Sequence, residues 1–208
     1  MTRQISYGHE VLRKIIHLSS LWMVVSIGLF PVFFNIALFA LLLFSIILIE
    51  YGNHRQWPLF TLTYGTLFNR ILREKETQAR FRLSGAPYVI AAALMVTVLF
   101  PKVIAMTALS IMLIGDTCAA LVGRKLGRHK INRGTKSIEG SLAFWLFSAG
   151  VLLFFYLNFS QSTLFLIFGL IGVTMATFAE IFENRIHLDD NFSIPLVVGI
   201  FLYFPYWL

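Results

Sequence analysis

Residues 115–141 read GDTCAALVGRKLGRHKINRGTKSIEGS, and they carry the side chains that phosphate chemistry needs. Asp116 lies inside an apolar segment, and Glu139 stands at the start of the next one. Between them come Arg124, Lys125, Arg128, Lys130, Arg133 and Lys136, spaced by Gly115, Gly123, Gly127, Gly134 and Gly140. Cationic side chains and exposed backbone amides on a glycine-rich turn can hold a polyphosphate. Carboxylates beside them can hold a divalent ion that bridges phosphate oxygens. The bias of membrane proteins toward positive inner loops accounts for the cations. It does not account for the glycine spacing, nor for Asp116 at membrane depth, where ionisable residues are usually functional.

Two smaller groups flank this stretch. Glu10, Arg13, Lys14 and His17 follow one another at helical steps, so all four can share one face of a helix. That helix runs into the first apolar segment and brings Arg13, Lys14 and His17 to headgroup level. On these residues alone the plainer reading is preferred: a snorkelling Arg-Lys pair beside a buried, hydrogen-bonded histidine. Near the other end, Asp189, Asp190 and Asn191 directly precede the last apolar segment. Paired carboxylates on a turn suit Mg²⁺, which takes one or two protein carboxylates plus substrate phosphates. A single aspartate is enough to cap a helix, so a run of three polar residues points to a metal or a nucleotide.

Other chemistries are poorly served. The sequence has no GxxxxGK[ST] or GxGxxG pattern. Its five histidines show no paired zinc-type spacing, and no Gly-x-Ser-x-Gly elbow occurs. Cys118, the one cysteine, reads as a small packing residue. Phosphate chemistry here must therefore use a membrane-specific architecture.

The elements that position these residues follow from composition. Hydrophobic residues make up 58% of the 208, which excludes an ordinary soluble domain. The pattern predicts an all-α polytopic membrane protein with seven spans, near 15–34, 35–51, 86–100, 103–122, 139–157, 162–181 and 192–207. Residues 81–88 extend the third span or lie along the interface. Pro31, Pro101 and Asn158 mark tight connections on one side. The connecting loops leave no room for a soluble domain, so residues 1–208 read as one transmembrane domain. The first span reads as a retained anchor, because no cleavage pattern of small residues follows it.

Charge placement orients the bundle. Arg3, Arg13 and Lys14 precede the first span, and Arg55, Arg70, Arg73, Lys75, Arg80 and Arg82 follow the second. The six cations of the central stretch follow the fourth span and Arg185 follows the sixth, leaving only Lys102 on the opposite side. The positive-inside rule makes the rich side cytoplasmic, with the N-terminus inside and the C-terminus outside. All ten acids fall on that same side, with Glu50, Asp116 and Glu180 at the inner ends of the second, fourth and sixth spans. The net charge of +7 suggests negative partners. Because the cations lie in loops between spans, anionic headgroups and a nucleotide are expected rather than nucleic acid.

Together these groups resemble the CTP-dependent lipid kinases, the family of dolichol kinase, phytol kinase and the yeast-type diacylglycerol kinase. Three blocks match in order and cover residues 10–195. The first is E-x-x-R-K-x-x-H, here Glu10, Arg13, Lys14 and His17. The second runs G-D-x-x-A-x-x-x-G-R-x-x-G and then K-S-x-E-G-S: Gly115, Asp116, Ala119, Gly123, Arg124 and Gly127, then Lys136, Ser137, Glu139, Gly140 and Ser141. The third comprises Ala176, Thr177, Glu180, Asp189, Asp190, Asn191 and Pro195.

The resemblance implies transfer of the γ-phosphoryl group of CTP, with Mg²⁺, to a membrane lipid alcohol at the cytoplasmic face of the bilayer. It implies catalytic roles for Asp116, Glu180, Lys14, Arg13 and His17. Gly123, Arg124, Gly127, Lys130, Lys136, Ser137, Glu139, Gly140 and Ser141 would hold the nucleotide, and Asp116, Asp189 and Asp190 the metal. Asp116 or Glu180 would accept the alcohol proton. Phe and Leu side chains accept a polyprenol, phytol or diacyl chain equally, so the acceptor is defined only as a lipid alcohol.

Two alternatives stay open. The central block also resembles phosphatidate cytidylyltransferase, including the His129-Lys130 pair. The Arg-Lys-x-x-His group, the Asp-Asp-Asn group and Arg133-Gly134-Thr135 in place of Ser-Pro favour the kinases. A transporter or a lipid-binding membrane protein without catalysis would more often place its ionisable groups near mid-membrane.

Overall fold

The structure is a computed structural model that describes residues 7–57, 83–131, 136–181 and 189–207. Arg3, Arg70, Arg73, Lys75, Arg80, Arg82, Arg133, Gly134, Thr135 and Arg185 lie outside those residues, as does the first part of the expected extension at 81–88.

The described elements are helical: α1 (Tyr7–Ser19), α2 (Leu21–Leu29), α3 (Val32–His54), α4 (Gly85–Leu99), α5 (Lys102–Lys125), α6 (Ile138–Asn158), α7 (Thr163–Ile181) and α8 (Asp190–Tyr203), then a 3₁₀ turn, Phe204–Trp207. Hydrocarbon offers no partner for backbone N–H and C=O groups, so an apolar chain satisfies them within helices. Five segments are long and apolar enough to cross a bilayer: Tyr7–Leu29, Val32–His54, Lys102–Lys125, Ile138–Asn158 and Thr163–Ile181. The third and seventh expected spans are shorter helices of 15 and 14 residues.

The first boundary differs from expectation. The first span starts at Tyr7 and ends at Leu29, and α3 begins directly after Pro31. Proline lacks an N–H and is disfavoured beyond a helix's first turns, but its carbonyl can accept the first bond of the next helix. Asn35 donates to that carbonyl at 3.2 Å, so Phe33 and Phe34 belong to α3. Pro101 starts α5 in the same way, with Ala105 donating at 3.0 Å. Three polar caps set other starts. Ser84 accepts from Ala86 N–H, Ser137 from Gly140 N–H and Asp189 from Asn191 N–H. Glu50, at the end of α3, is buried and accepts from both the Ser84 N–H, at 2.9 Å, and the Ser84 hydroxyl.

Helix α5 is the centre of the bundle. Ile104, Ala105, Ala108, Leu109, Ile111, Met112 and Leu113 are wholly buried, and α1, α2, α4, α6 and α8 pack around them. Helix α7 packs on α6 and α8, and α3 on α4. Helices α5 and α6 come unusually close because Gly115 faces α6. A Cβ there would lie 2.5 Å from Ser148 Oγ and 2.9 Å from the Phe144 ring. Large apolar side chains such as Phe33, Phe44 and Leu157 face outward, the arrangement suited to lipid as solvent.

At the end of the bundle holding the α2–α3 turn, the polar side chains among the described residues are neutral apart from one cation. Ser26 donates to Asn35 Oδ1 at 2.6 Å, and Asn35 Nδ2 donates to the carbonyls of Phe30 and Pro31. Lys102 donates to the Gly28 carbonyl at 2.8 Å. The charged side chains of the sequence motifs meet at the other end.

Candidate active site

Asp116 sits near the end of the central helix, where it is buried. Lys14 reaches it from α1, with Nζ 2.5 Å from Asp116 Oδ2. Both partners are desolvated, a cost that a well-packed apolar pair would avoid. One turn deeper on α1, His17 Nε2 lies 3.6 Å from the same oxygen, beyond hydrogen-bond distance. Glu10 joins the same two helices at their outer end. Its Oε1 lies 3.4 Å from Arg13 and its Oε2 is 3.1 Å from Arg124 of α5. The helical steps read from E-x-x-R-K-x-x-H therefore put all four residues along the contact of α1 with α5.

A second charged group adjoins the first. Lys136, just before α6, places Nζ 2.5 Å from Glu180 Oε1 on α7 and 3.4 Å from Asp190 Oδ2 on α8. Ser141 of α6 donates to the other Glu180 oxygen at 3.4 Å. The two groups share a field: the charge of Lys136 acts on Asp116, and that of Asp116 acts on Glu180. Four helices, α1, α5, α7 and α8, and the loop before α6 thus bring Lys14, His17, Asp116, Lys136, Glu180 and Asp190 together. Asp189 stands apart as the α8 cap, its Oδ1 accepting from Asn191 N–H at 3.0 Å and Asn191 Nδ2 at 2.7 Å. Burial, aided by the charge of Asp190, raises the Asp189 carboxyl above the ordinary aspartate value.

The loop between α5 and α6 folds back on itself. Glu139 accepts from the backbone N–H groups of Arg128 and His129, both at 3.1 Å, and pairs with His129 Nδ1 at 2.8 Å. Lys130 and Ser137 form an antiparallel bridge, flanked by Ile131 N–H to Lys136 C=O and Ile138 N–H to His129 C=O. Glu139 therefore shapes the loop that delivers Lys136. Lys125, Arg128 and Lys130 are exposed on it.

The glycines require a correction. A glycine-rich turn with exposed amides was expected in the stretch spaced by Gly115, Gly123, Gly127, Gly134 and Gly140, with Gly115 and Gly140 already in the flanking spans. Helix α5 instead continues to Lys125, because the apolar run continues through Leu121 and Val122. Gly115 and Gly123 are inside α5 and Gly140 is inside α6, so their amides belong to helical segments. A Cβ on Gly140 would lie 2.9 Å from the Ala119 carbonyl oxygen and 3.1 Å from Gly123 Cα. One on Gly127 would lie 2.1 Å from the Gly123 carbonyl oxygen. These residues are glycine so that α5, α6 and their loop can touch backbone to backbone. No described glycine has a positive φ.

Metal binding was expected at Asp116, Asp189 and Asp190. Among the described residues, no three His, Cys, Asp or Glu side chains gather into a protein-only metal cage. The donors fit an ion that takes one or two carboxylates and completes its shell with phosphate oxygens, as Mg²⁺ does.

Known proteins can be set beside this geometry. No family model matches the chain, and no solved structure does. The chain is 32% identical over 202 residues to the uncharacterized protein RP860 of Rickettsia prowazekii, covering 91% of each. It is 31% identical over 162 residues to the CTP-dependent diacylglycerol kinase 1 of Schizosaccharomyces pombe, covering 71% of this chain and 70% of that one. The protein of the same name from Saccharomyces cerevisiae is 26% identical over 216 residues, with 93% and 72% covered.

Proposed function

The chain belongs to the CTP-dependent lipid kinase family, and we infer that it moves the γ-phosphoryl group of CTP to the hydroxyl of a membrane lipid at the cytoplasmic face. The observation that carries this reading is the convergence of two lysine–carboxylate pairs, Lys14–Asp116 and Lys136–Glu180, at one end of an apolar bundle. The family supplies the reactants, and the site supplies charges suited to them.

In the proposed reaction the lipid oxygen bonds to the γ-phosphorus. The bond from that phosphorus to the β–γ bridging oxygen breaks, and its electron pair leaves with CDP. The hydroxyl proton passes to a carboxylate, Asp116 or Glu180. Such transfers depend chiefly on positioning and charge neutralisation. Lys14, Lys136 and Arg124 supply positive charge, and the loop shaped by Glu139 carries Lys130 beside them. Triphosphate oxygens compete with Asp116 and Glu180 for the two ammonium groups. A carboxylate released from its lysine is a stronger proton acceptor. Asp116 with Asp189 or Asp190 would hold Mg²⁺. When bound, the ion would neutralise charge building on the β- and γ-phosphates.

The test is label transfer from CTP to lipid in purified protein. Diacylglycerol is the first acceptor to try because two relatives carry it in their names, with a polyprenol, phytol and phosphatidate alongside. Label from γ-labelled CTP should enter the lipid, label from α-labelled CTP should not, and CDP should be the soluble product. Pyrophosphate release with α-label in the lipid would overturn the kinase reading in favour of cytidylyl transfer. Orientation is tested separately by cysteine labelling: positions Lys130 and Asn158 should be accessible from opposite sides, Lys130 from the cytoplasm.

A further inference from the structure

Among the described residues, three buried side-chain polar atoms lack a hydrogen-bond partner: His17 Nε2, Ser148 Oγ and Asn191 Oδ1. Leaving such an atom unpaired costs free energy, so each calls for an explanation. Ser148 lies at the α5–α6 contact, beside Gly115 and the Phe144 ring. Asn191 belongs to the α8 cap, where its amide nitrogen is already bound to Asp189. His17 turns its unpaired atom toward the charged cluster, 3.6 Å from Asp116 Oδ2.

Its depth is as informative as its direction. Helix α1 enters the bundle from the charged end, and His17 lies one turn beyond Lys14, about 4.5 Å further along the axis. Lys136 comes to the cluster from the loop, and Glu180 and Asp190 from the ends of α7 and α8. His17 approaches Asp116 from the apolar side, the direction from which a lipid headgroup must arrive.

The backbone also changes just past this residue. Ser20 N–H donates to the His17 carbonyl at 3.1 Å, and Met23 N–H donates to the Ser20 carbonyl at 2.9 Å. Both bonds span three residues, so the first span tightens to a 3₁₀-like turn between α1 and α2. Interruptions of this kind inside a helix often mark functional positions. Lipid-facing Ile15 and Ile16 lie on the same turn as the histidine, both exposed.

Resting on the kinase reading, the geometry points to His17 as the residue that binds the acceptor hydroxyl. Its Nε2 and Asp116 Oδ2, 3.6 Å apart, make no direct hydrogen bond, and one hydroxyl lying beside the pair can touch both. An imidazole nitrogen can donate to such an oxygen or accept its hydrogen, depending on tautomer. The ligand this position selects is an alcohol on a membrane lipid, not a phosphate and not the nucleotide. The charges that reach the ring from neighbouring residues are those of Arg13, Lys14, Asp116 and Asp190.

The experiment measures binding as well as turnover, so that the two readings can fail separately. Dioctanoylglycerol and geranylgeraniol, each beside its O-methyl ether, are titrated by calorimetry into wild-type protein and into His17→Ala and His17→Gln in nanodiscs. Wild type should bind at least one alcohol about tenfold more tightly than its ether, the scale of one buried hydrogen bond. His17→Ala should lose that preference while keeping its affinity for the ether and its KM for CTP. His17→Gln, which retains a polar atom, should recover part of the preference and part of kcat/KM for the lipid. Neither alcohol outcompeting its ether on wild type would overturn the assignment, and so would a His17→Ala protein that still prefers the alcohol. A wild type that prefers the alcohol yet moves no γ-label from CTP would instead sink the kinase reading and leave the hydroxyl site intact.

Discussion

The two ends of this bundle solve the same problem, polar groups at helix ends, in opposite ways. At the α2–α3 turn Ser26, Asn35 and two backbone carbonyls satisfy one another within ten residues of sequence. These groups are neutral and each of their bonds closes a local turn, with Lys102 on the Gly28 carbonyl as the long-range exception. At the far end the partners come from distant parts of the chain, Lys14 to Asp116 and Lys136 to Glu180, and they are charged. Neutral groups would hold a turn at lower desolvation cost. Charges gathered over such distances make sense where a charged ligand is to be bound. One end has the groups that stability needs, and the other has the charges that the proposed chemistry needs.

This contrast can be broken by substitution. The largest effect is expected from Asp116→Asn, which should lower γ-phosphoryl transfer by about a hundredfold or more. Because it strands Lys14, the double variant Lys14→Met/Asp116→Asn should regain thermal stability and no activity. A double variant with near-normal turnover would make the pair structural, like the opposite end. Gly140→Ala comes next. Its methyl must push α6 from α5, costing about 1–3 kcal/mol and slowing turnover, because the two helices carry Asp116 and Ser141. Unchanged melting and unchanged rate would show that the close approach is dispensable.

Asn35→Ala tests the other end. It removes the side-chain partner of the Ser26 hydroxyl and of the Phe30 carbonyl, while the Pro31 carbonyl keeps the backbone N–H of residue 35, and should cost about 1–3 kcal/mol, with kcat and both KM values unaltered. A drop in kcat without loss of stability would couple the two ends. The smallest effect on stability belongs to Asp189→Asn, which keeps a competent cap. The raised carboxyl of Asp189 means that the folded protein holds this proton more tightly than the unfolded chain does. Its contribution therefore favours folding at low pH and is lost as pH rises through the raised value. Melting curves should show the variant gaining on wild type between pH 4 and pH 7, and a difference constant with pH would refute the assignment.

Much of the charged end was legible from the sequence, because alternating spans carry their acids to one side. Asp116, Glu180 and Asp190 follow from that topology, and the steps from Glu10 to His17 follow from helical geometry. Pairing was not legible: neither spacing nor composition tells that Lys14 takes Asp116 while Arg124 takes Glu10. The glycines were misread because a glycine that relieves a turn and one that lets helices touch look the same in a string. Asp189 shows the opposite case, since the plain capping role describes the contacts it makes. The first span was placed too late because Tyr7–His17 is amphipathic, and its apolar stripe is diluted by the residues that reach into the site.

Glu50 and Ser84 have a consequence for how this architecture can change over time. One carboxylate, bound to the backbone and hydroxyl of Ser84, pins the end of α3 to the start of α4. Whatever chain lies between begins and ends at the same fastened point. A lineage that replaces Glu50 therefore loses both bonds to Ser84 at once, so the two positions are free to change only together.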